Sequence, residues 1–270
     1  MTRRGLGTGF ALLAMLVLAV CVVGWCEAQR DPLVRHATIA LPDWPEGAAP
    51  ITILLLSDTH VSRLSMPPER LRRIVAGLNR TRPDLILIAG DMVSESLIFP
   101  TVPSREAVAP LGGLRAPLGV YAVLGNHDHA RGVAEMRRAI VRAGITLLKD
   151  KAVRAGPLAL GGIDDSVTDH SDFESTVHQM RALPGAKVIL SHGISYRNFL
   201  PPDIHLMLAG HTHCGQINPP FFSGRRPCGM IRWPGHSLIV GAGLGTSIVP
   251  LRWNAPPDVW LIRVGPPQRR

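Results

Sequence analysis

Cysteine is scarce in this sequence, and its scarcity excludes one class of protein. The 270 residues include four cysteines, of which Cys21 and Cys26 lie in an apolar N-terminal segment. Only Cys214 and Cys228 remain for the rest of the chain, too few for a small scaffold held together by disulfides. Long low-complexity stretches are also lacking, and a hydrophobic content of 46% is enough for the core of one large domain.

Lysine is equally scarce, and the positive charge is carried almost wholly by arginine. The formal net charge is +9. Arg3, Arg4, Arg269 and Arg270 place four of the charges at the two ends of the chain. Because no basic stripe stands out, we expect no specific nucleic-acid partner. We favour an ordinary solvated surface as the interpretation of the charge, and attraction to anionic lipid or substrate is the alternative.

Charged side chains are absent from residues 5–26, which follow Arg3 and Arg4. As a helix, these 22 residues would reach roughly 33 Å, enough for a hydrocarbon core of about 30 Å. A cleaved signal peptide and a signal-anchor both fit, and we favour the anchor because Cys26-Glu27-Ala28 is a poor cleavage site. The leading arginines should stay in the cytoplasm, which places the rest of the chain outside it.

The chain is expected to divide into four parts. Residues 1–28 form the signal or anchor segment, and residues 29–50 form a linker with a lead-in strand. Residues 51–265, which contain the recurring apolar runs, form the main domain, and residues 266–270 form a C-terminal tail.

Short runs of isoleucine, leucine and valine recur from Ile51 onward. Such runs are typical of strands that are buried on both faces of a sheet. The predicted strands cover residues 51–56, 85–89, 120–124, 158–161, 187–190, 205–209, 238–240 and 259–264.

Helical patterns separate several of these strands. Helices are predicted over residues 67–79, 133–143 and 171–182, the last beginning with Ser171 and Glu174 as a capping box. The alternation predicts an α/β fold whose sheets are covered by helices. Proline and glycine crowd residues 218–235, where we expect a long surface loop near the site.

Polar residues follow five of the predicted strands. Asp58 and His60 follow the first strand, and alternation along an extended chain would point both side chains the same way. Glycine precedes two of the other clusters and permits a sharp turn there. The remaining polar residues are Asp91, Asn126, His192, His211 and His213. Because strands of an α/β sheet present their carboxyl ends at one edge, we expect these side chains to form one site.

The chemistry of this set indicates metal binding. Two carboxylates, one carboxamide and four imidazoles exceed the needs of a single tetrahedral zinc. The mixture of hard oxygen and borderline nitrogen suits manganese, iron or zinc better than calcium. Two divalent ions about 3.5–4 Å apart, bridged by one carboxylate, would use the whole set. Each cluster alone could be a turn or a buried core histidine, but five clusters in one order favour the metal site.

The order Asp-x-His, Gly-Asp, Gly-Asn-His-Asp, His-Gly and Gly-His-Thr-His resembles the calcineurin-like metallophosphoesterase superfamily over residues 51–264. Residues 161–165, 241–247 and 250–252 are similar to its bacterial membrane-associated branch. The resemblance implies a two-sheet β-sandwich core flanked by helices, here preceded by an apolar N-terminal helix.

The resemblance also implies a role for each site residue. One metal would be held by Asp58, His60 and His213, the other by Asn126, His192 and His211, and Asp91 would bridge the two. His127 would face the scissile phosphate and stabilise charge or protonate the leaving oxygen, and Asp128 would orient it.

Cys214 departs from the family pattern, in which a second glycine is frequent at this position. The thiol could approach the metal or pair with Cys228 in an oxidising compartment. We favour the third alternative, a free buried thiol.

The implied reaction is hydrolysis of a phosphodiester or pyrophosphate bond. Two metals would lower the pKa of a bridging water from about 15.7 toward 7, so that hydroxide attacks phosphorus. The substrate is expected to be a phosphate ester linked to a lipid or a nucleotide and met at the membrane. A nuclease of the same superfamily and a non-catalytic metal-binding scaffold are the alternatives.

Overall fold

The computed structural model describes residues 3–95, 101–218 and 226–267. Helix α1, Arg3–Ala28, carries the apolar N-terminal run and exposes most of its large side chains. Its stretch Gly9–Ala28 is long and apolar enough to cross a membrane by length and composition.

Twelve strands are found among the described residues. They are β1 Leu33–Ala40, β2 Ile51–Leu56, β3 Leu85–Ala89, β4 Val120–Val123, β5 Thr146–Leu147, β6 Lys151–Ala155, β7 Leu158–Gly162, β8 Ala186–Leu190, β9 Leu206–Ala209, β10 Gly229–Trp233, β11 His236–Val240 and β12 Asp258–Gly265.

The strands form two mixed sheets of six strands each. The first has the order β1-β12-β2-β3-β4-β5, and the second has the order β10-β11-β9-β8-β7-β6. Strands β2, β3 and β4 are parallel neighbours, as are β7, β8 and β9. These parallel strands therefore bring the polar segments that follow them to the same edge of their sheets.

Five further α-helices accompany the sheets among the described residues: α2 Pro68–Asn79, α3 Ser104–Val108, α4 Asn126–Arg131, α5 Val133–Arg142 and α6 Phe173–Arg181. One apolar core lies between the first sheet and α2, α3 and α5, a second lies between the two sheets, and a third packs α6 on the second sheet. The predicted two-sheet core flanked by helices is confirmed.

Strand β2 shows why the apolar runs are continuous. Ile53 and Leu55 face the second sheet, whereas Leu54 and Leu56 face the helices. Because successive side chains point to opposite faces, a strand covered on both sides needs apolar residues at every position.

Two local predictions are corrected. The cap of α6 is Asp172, whose carboxylate accepts a hydrogen bond from the Ser175 amide at 2.9 Å, and not Ser171. The predicted loop over residues 218–235 contains β10, which forms an antiparallel hairpin with β11. Residues 219–225 of that loop lie outside the described residues.

Candidate metal centre

The seven predicted ligands come together where five parallel strands end. Asp58 and His60 follow β2, Asp91 follows β3, Asn126 follows β4, His192 follows β8, and His211 and His213 follow β9. The first four residues come from the first sheet and the three histidines from the second. The site therefore lies where the carboxyl ends of strands from both sheets meet.

One cluster consists of Asp58, His60 and His213, which are all buried. The Nε2 atoms of His60 and His213 lie 3.0 Å apart, and His213 Nε2 lies 3.4 Å from Asp58 Oδ1. Two facing ring nitrogens need a proton or a cation between them. This donor set fits a divalent metal.

A second cluster consists of Asp91, His192 and His211. His211 Nδ1 lies 3.1 Å from His192 Nε2, which in turn lies 3.2 Å from the side-chain oxygen of Asn126. The other ring nitrogen of His192 donates a hydrogen bond to the Ala89 carbonyl at 2.7 Å. That bond leaves Nε2 directed toward the cluster, the arrangement usual for a histidine that binds metal.

Asp91 stands between the two clusters. Its Oδ2 lies 3.5 Å from His60 Nε2 and 3.2 Å from His192 Nε2. Its Oδ1 accepts a hydrogen bond from the His127 backbone amide at 3.0 Å. The carboxylate therefore has an oxygen within reach of both donor sets, as a bridging ligand requires.

The backbone at the site differs from the extended chain that we predicted for Asp58 and His60. Strand β2 ends at Leu56, and both residues adopt positive φ angles, 50° and 37°. Three further predicted ligands share this left-handed conformation, namely Asp91, His211 and His213. For residues other than glycine this conformation costs about 1 kcal/mol or more each, so the surrounding packing must hold it.

The glycines that precede Asp91 and Asn126 have different roles. Gly90 has a φ of 77° and makes the predicted sharp turn. Gly125 has an ordinary φ of −109°, but a Cβ there would lie 2.2 Å from Asp91 Oδ1. Gly125 is therefore needed for the close approach of Asp91 rather than for a turn.

Burial and mutual charge set the protonation of the site residues. Burial lowers the pKa of His60 to about 3 and that of His213 well below its usual value. Burial also raises the pKa of Asp58 to about 6. For His192 burial acts in the lowering direction, but the charges of Asp91 and Asp58 and the hydrogen bonds to Asp91 and Ala89 together outweigh it and raise the pKa to about 10. The first cluster thus presents neutral imidazoles, and the second holds a proton on His192.

His127 and Asp128 lie beside the clusters in different settings. The His127 ring is partly exposed, and its centroid is 4.9 Å from that of His60. Its Nδ1 lies 3.6 Å from a carboxylate oxygen of Glu95, a residue that the sequence did not single out. The only sequence feature that could have pointed to Glu95 is its place four residues after Asp91.

Asp128 contacts the backbone instead of the His127 ring. Its buried carboxylate accepts hydrogen bonds from the amides of Met92, Val93 and Gly125 at 2.9, 3.3 and 3.1 Å. The prediction that Asp128 orients the His127 side chain is therefore corrected. Asp128 joins the segment after β3 to the start of α4, where His127 lies.

Cys214 and Cys228 form a disulfide, so the favoured free thiol is wrong. The nearby Thr212 hydroxyl donates a hydrogen bond to the Pro227 carbonyl at 2.8 Å. Together these contacts fasten the segment before β10 to the turn that carries His211 and His213. The sequence left this pairing open because spacing alone does not show whether two cysteines come within bonding distance.

Arg252 is the second residue that sequence reasoning missed as part of the site. It is fully buried, and its guanidinium donates hydrogen bonds to the carbonyls of Ala242, Gly243, Gly245 and Ala255. Its Nη2 also lies 3.4 Å from His213 Nδ1. The Pro-Leu-Arg segment contributed to the family resemblance, but no sequence pattern indicated that Arg252 is buried beside His213.

A protein-family model supplies the class that this fold and site define. The model described as calcineurin-like phosphoesterase matches residues 51–215, more than half of the chain. The chain belongs to the calcineurin-like phosphoesterase family.

Known relatives agree with this class. A bovine protein named "Transmembrane protein with metallophosphoesterase domain" is 30% identical over 246 residues, 79% of this chain and 54% of its own. An uncharacterised metallophosphoesterase from Bacillus subtilis, YkuE, is 27% identical over 80% of this chain and 79% of its own. This chain spans about half the length of the first relatives that it matches.

A solved structure supports the fold. The Haemophilus influenzae NAD nucleotidase superposes with a TM-score of 0.51 at 16% identity, covering 73% of this chain and 46% of its own. At this identity the likeness concerns the fold alone.

Proposed function

We propose that the protein is a membrane-tethered phosphoesterase that uses two divalent metals to hydrolyse a phosphodiester or pyrophosphate bond in a lipid- or nucleotide-linked substrate. The observation that carries this proposal is the position of Asp91 Oδ2, 3.5 Å from His60 and 3.2 Å from His192. Two ions bound there would supply Lewis-acid activation of the phosphoryl group and of water.

The chain's own residues have distinct tasks in this proposal. The first ion would be held by Asp58, His60 and His213, the second would be held by Asn126, His192 and His211, and Asp91 would be shared. Mixed carboxylate, amide and imidazole donors support manganese, iron or zinc as the metals.

His127 is proposed as the group that protonates the leaving oxygen. Its ring is more exposed than the neighbouring His60 ring, so a substrate can reach it. The backbone amide of His127 is fixed by Asp91, and Glu95 lies close enough to hold the ring through a modest side-chain movement. A positioned imidazole can supply a proton as the bond to phosphorus breaks.

The proposed location is the outer side of a membrane. Helix α1 is apolar and follows two arginines, which favours a cytoplasmic N-terminus. The disulfide between Cys214 and Cys228 supports an oxidising compartment for the catalytic domain. The name of the bovine relative also supports a membrane protein.

A substrate panel tests the proposed function. The full chain in detergent is stripped of metal, loaded separately with manganese, zinc or iron, and given a phosphomonoester, a chromogenic phosphodiester, a lipid pyrophosphate and DNA. We expect metal-dependent cleavage of the diester or the pyrophosphate. Preferential cleavage of DNA would favour the nuclease instead, and no turnover with any metal would reject the proposal.

A further inference from the structure

The end of α1 is fastened to the catalytic domain. Gly24 is buried, and its carbonyl accepts a hydrogen bond from the Arg252 amide at 2.9 Å. A Cβ at Gly24 would lie 3.4 Å from Leu251 Cβ, so the helix approaches this loop closely. One turn later, the Ala28 carbonyl accepts a hydrogen bond from Arg70 at 2.9 Å. The helix therefore fixes the orientation of the domain.

This fastening overlaps the segment that would lie in the membrane. The uncharged run ends at Cys26, and the candidate span is Gly9–Ala28. A hydrocarbon core of about 30 Å occupies about 20 helical residues, so Gly24 would lie about one helical turn inside its outer boundary. The domain surface next to Gly24 must then lie at the same depth relative to the bilayer.

Large apolar side chains are exposed on that surface. Ile248 is 78% exposed, Val249 38% and Leu64 41%. Ile248 has a φ of 64°, which is rare for a β-branched residue. The Gln216 side chain donates hydrogen bonds to the carbonyls on both sides of Ile248, those of Ser247 and Val249, at 2.9 and 3.0 Å. The loop is thus held in a shape that presents Ile248 outward.

The two loops that carry these side chains contact each other and the helix end. The Thr246 and Ser65 hydroxyls lie 2.8 Å apart, and Gln29 donates a hydrogen bond to the Ser65 carbonyl at 3.3 Å. Leu64, Ile248 and Val249 therefore belong to one surface, which we call the apolar rim.

The apolar rim is also joined to the metal centre. Gly245 approaches the Thr59 carbonyl so closely that a Cβ there would lie 2.2 Å away, and Thr59 stands between Asp58 and His60. The Gln216 side chain that holds the Ile248 loop lies three residues after His213. The position of the rim relative to the bilayer therefore determines the position of the metal centre.

We propose that the apolar rim inserts into the outer boundary of the bilayer that holds α1, so that the metal centre works at the level of the lipid headgroups on a phosphate carried by an amphiphile. Single exposed apolar side chains are common on protein surfaces. A cluster of them held beside a membrane helix, however, can be buried in the hydrocarbon of the bilayer. The choice of substrate rests on the proposed phosphoesterase activity, whereas the insertion of the rim rests only on the membrane tether in that proposal.

A spin label tests the insertion directly. The full chain, with Cys21 and Cys26 replaced by serine, is labelled at Ile248→Cys in nanodiscs of phosphatidylethanolamine and phosphatidylglycerol. Val141→Cys, on helix α5 outside the apolar rim at a side chain that is 60% exposed, is the matched control. We expect the label at position 248 to collide more with oxygen than with a water-soluble nickel chelate, and the label at 141 to do the reverse. Equal behaviour at the two positions overturns the proposal.

A kinetic comparison tests the substrate class. Replacing Ile248 and Val249 by serine should lower the rate on a phosphodiester amphiphile in vesicles about tenfold and leave the rate on a soluble chromogenic diester unchanged. Val141→Ser should change neither rate. Equal losses on both substrates, or no loss on either, overturn the substrate assignment. If the unaltered protein cleaves neither substrate, the proposed function fails, and the spin label still decides the insertion.

Discussion

The two halves of the metal centre differ in their access to solvent. Asp58, His60 and His213 form a buried cluster, backed by the buried guanidinium of Arg252. In the other half His192 is buried, but Asn126 and His211 are partly exposed. We infer that the first half retains its metal and that the second half exchanges its metal and meets the substrate. Asp91 couples them.

The largest expected effect comes from Asp91→Asn, which removes the shared charge from both halves. We expect the rate on a phosphodiester to fall about 10³-fold or more, because both the metals and the charge stabilisation they supply depend on this carboxylate. Metal content measured by mass spectrometry should fall along with the rate. Glu46→Gln, an exposed carboxylate, serves as the control. A variant that keeps its rate while losing metal would show that the halves act independently.

Replacing Arg252 by methionine tests the support behind the first half. The change removes one donor from four buried carbonyls, of which that of Gly243 still accepts from the Asp258 amide at 3.3 Å, so we expect the free energy of unfolding to fall by about 3 kcal/mol. Urea unfolding measures the loss, and Arg232→Met on exposed β10 should change stability by less than about 0.5 kcal/mol. An unchanged unfolding midpoint for the Arg252 variant would remove Arg252 from this role.

Paired histidine variants separate the halves. His213→Asn should weaken the tighter of two metal-binding events by about 100-fold, and His211→Asn should weaken the looser one by a similar factor. Calorimetric titration with manganese resolves the two events, with exposed His36→Asn as the control. Weakening of the same event by both variants would contradict the division of the site.

The smallest expected effect is a difference in pH dependence. His60 and His213 have lowered pKa values and carry no proton to displace above pH 6.5, and Asp58, with a pKa of about 6, is then largely ionised. His192 has a pKa raised to about 10, so a metal in the second half must displace its proton. Because proton and metal compete, affinity in the second half should rise about tenfold per pH unit between pH 7 and 8. The first half should stay nearly constant.

Calorimetry in buffers with different heats of ionisation measures this proton release. Equal pH dependence of both binding events would show that the proton is shared across the site.

The strands that precede the site residues, and the order of those residues, could be predicted because burial on both faces leaves a continuous apolar pattern. Ile53 and Leu54 face different cores, yet both must be apolar. The backbone at Asp58 and His60 could not be predicted, because positive φ angles in residues other than glycine depend on tertiary packing.

Long-range contacts account for the other differences. The pairing of Cys214 with Cys228 and the burial of Arg252 depend on which loops meet, information that no local spacing contains. The cap at Asp172 was one residue from the prediction, since Ser171 and Asp172 are both suitable residue types.

Anomalous diffraction from crystals of the protein loaded with manganese tests whether two metals share Asp91. We expect two peaks, one beside His60 and His213 and one beside His192 and His211, with the Asp91 carboxylate between them. As manganese is lowered, the second peak should fade first. A single peak under saturating manganese, or two peaks that Asp91 does not join, would contradict the account.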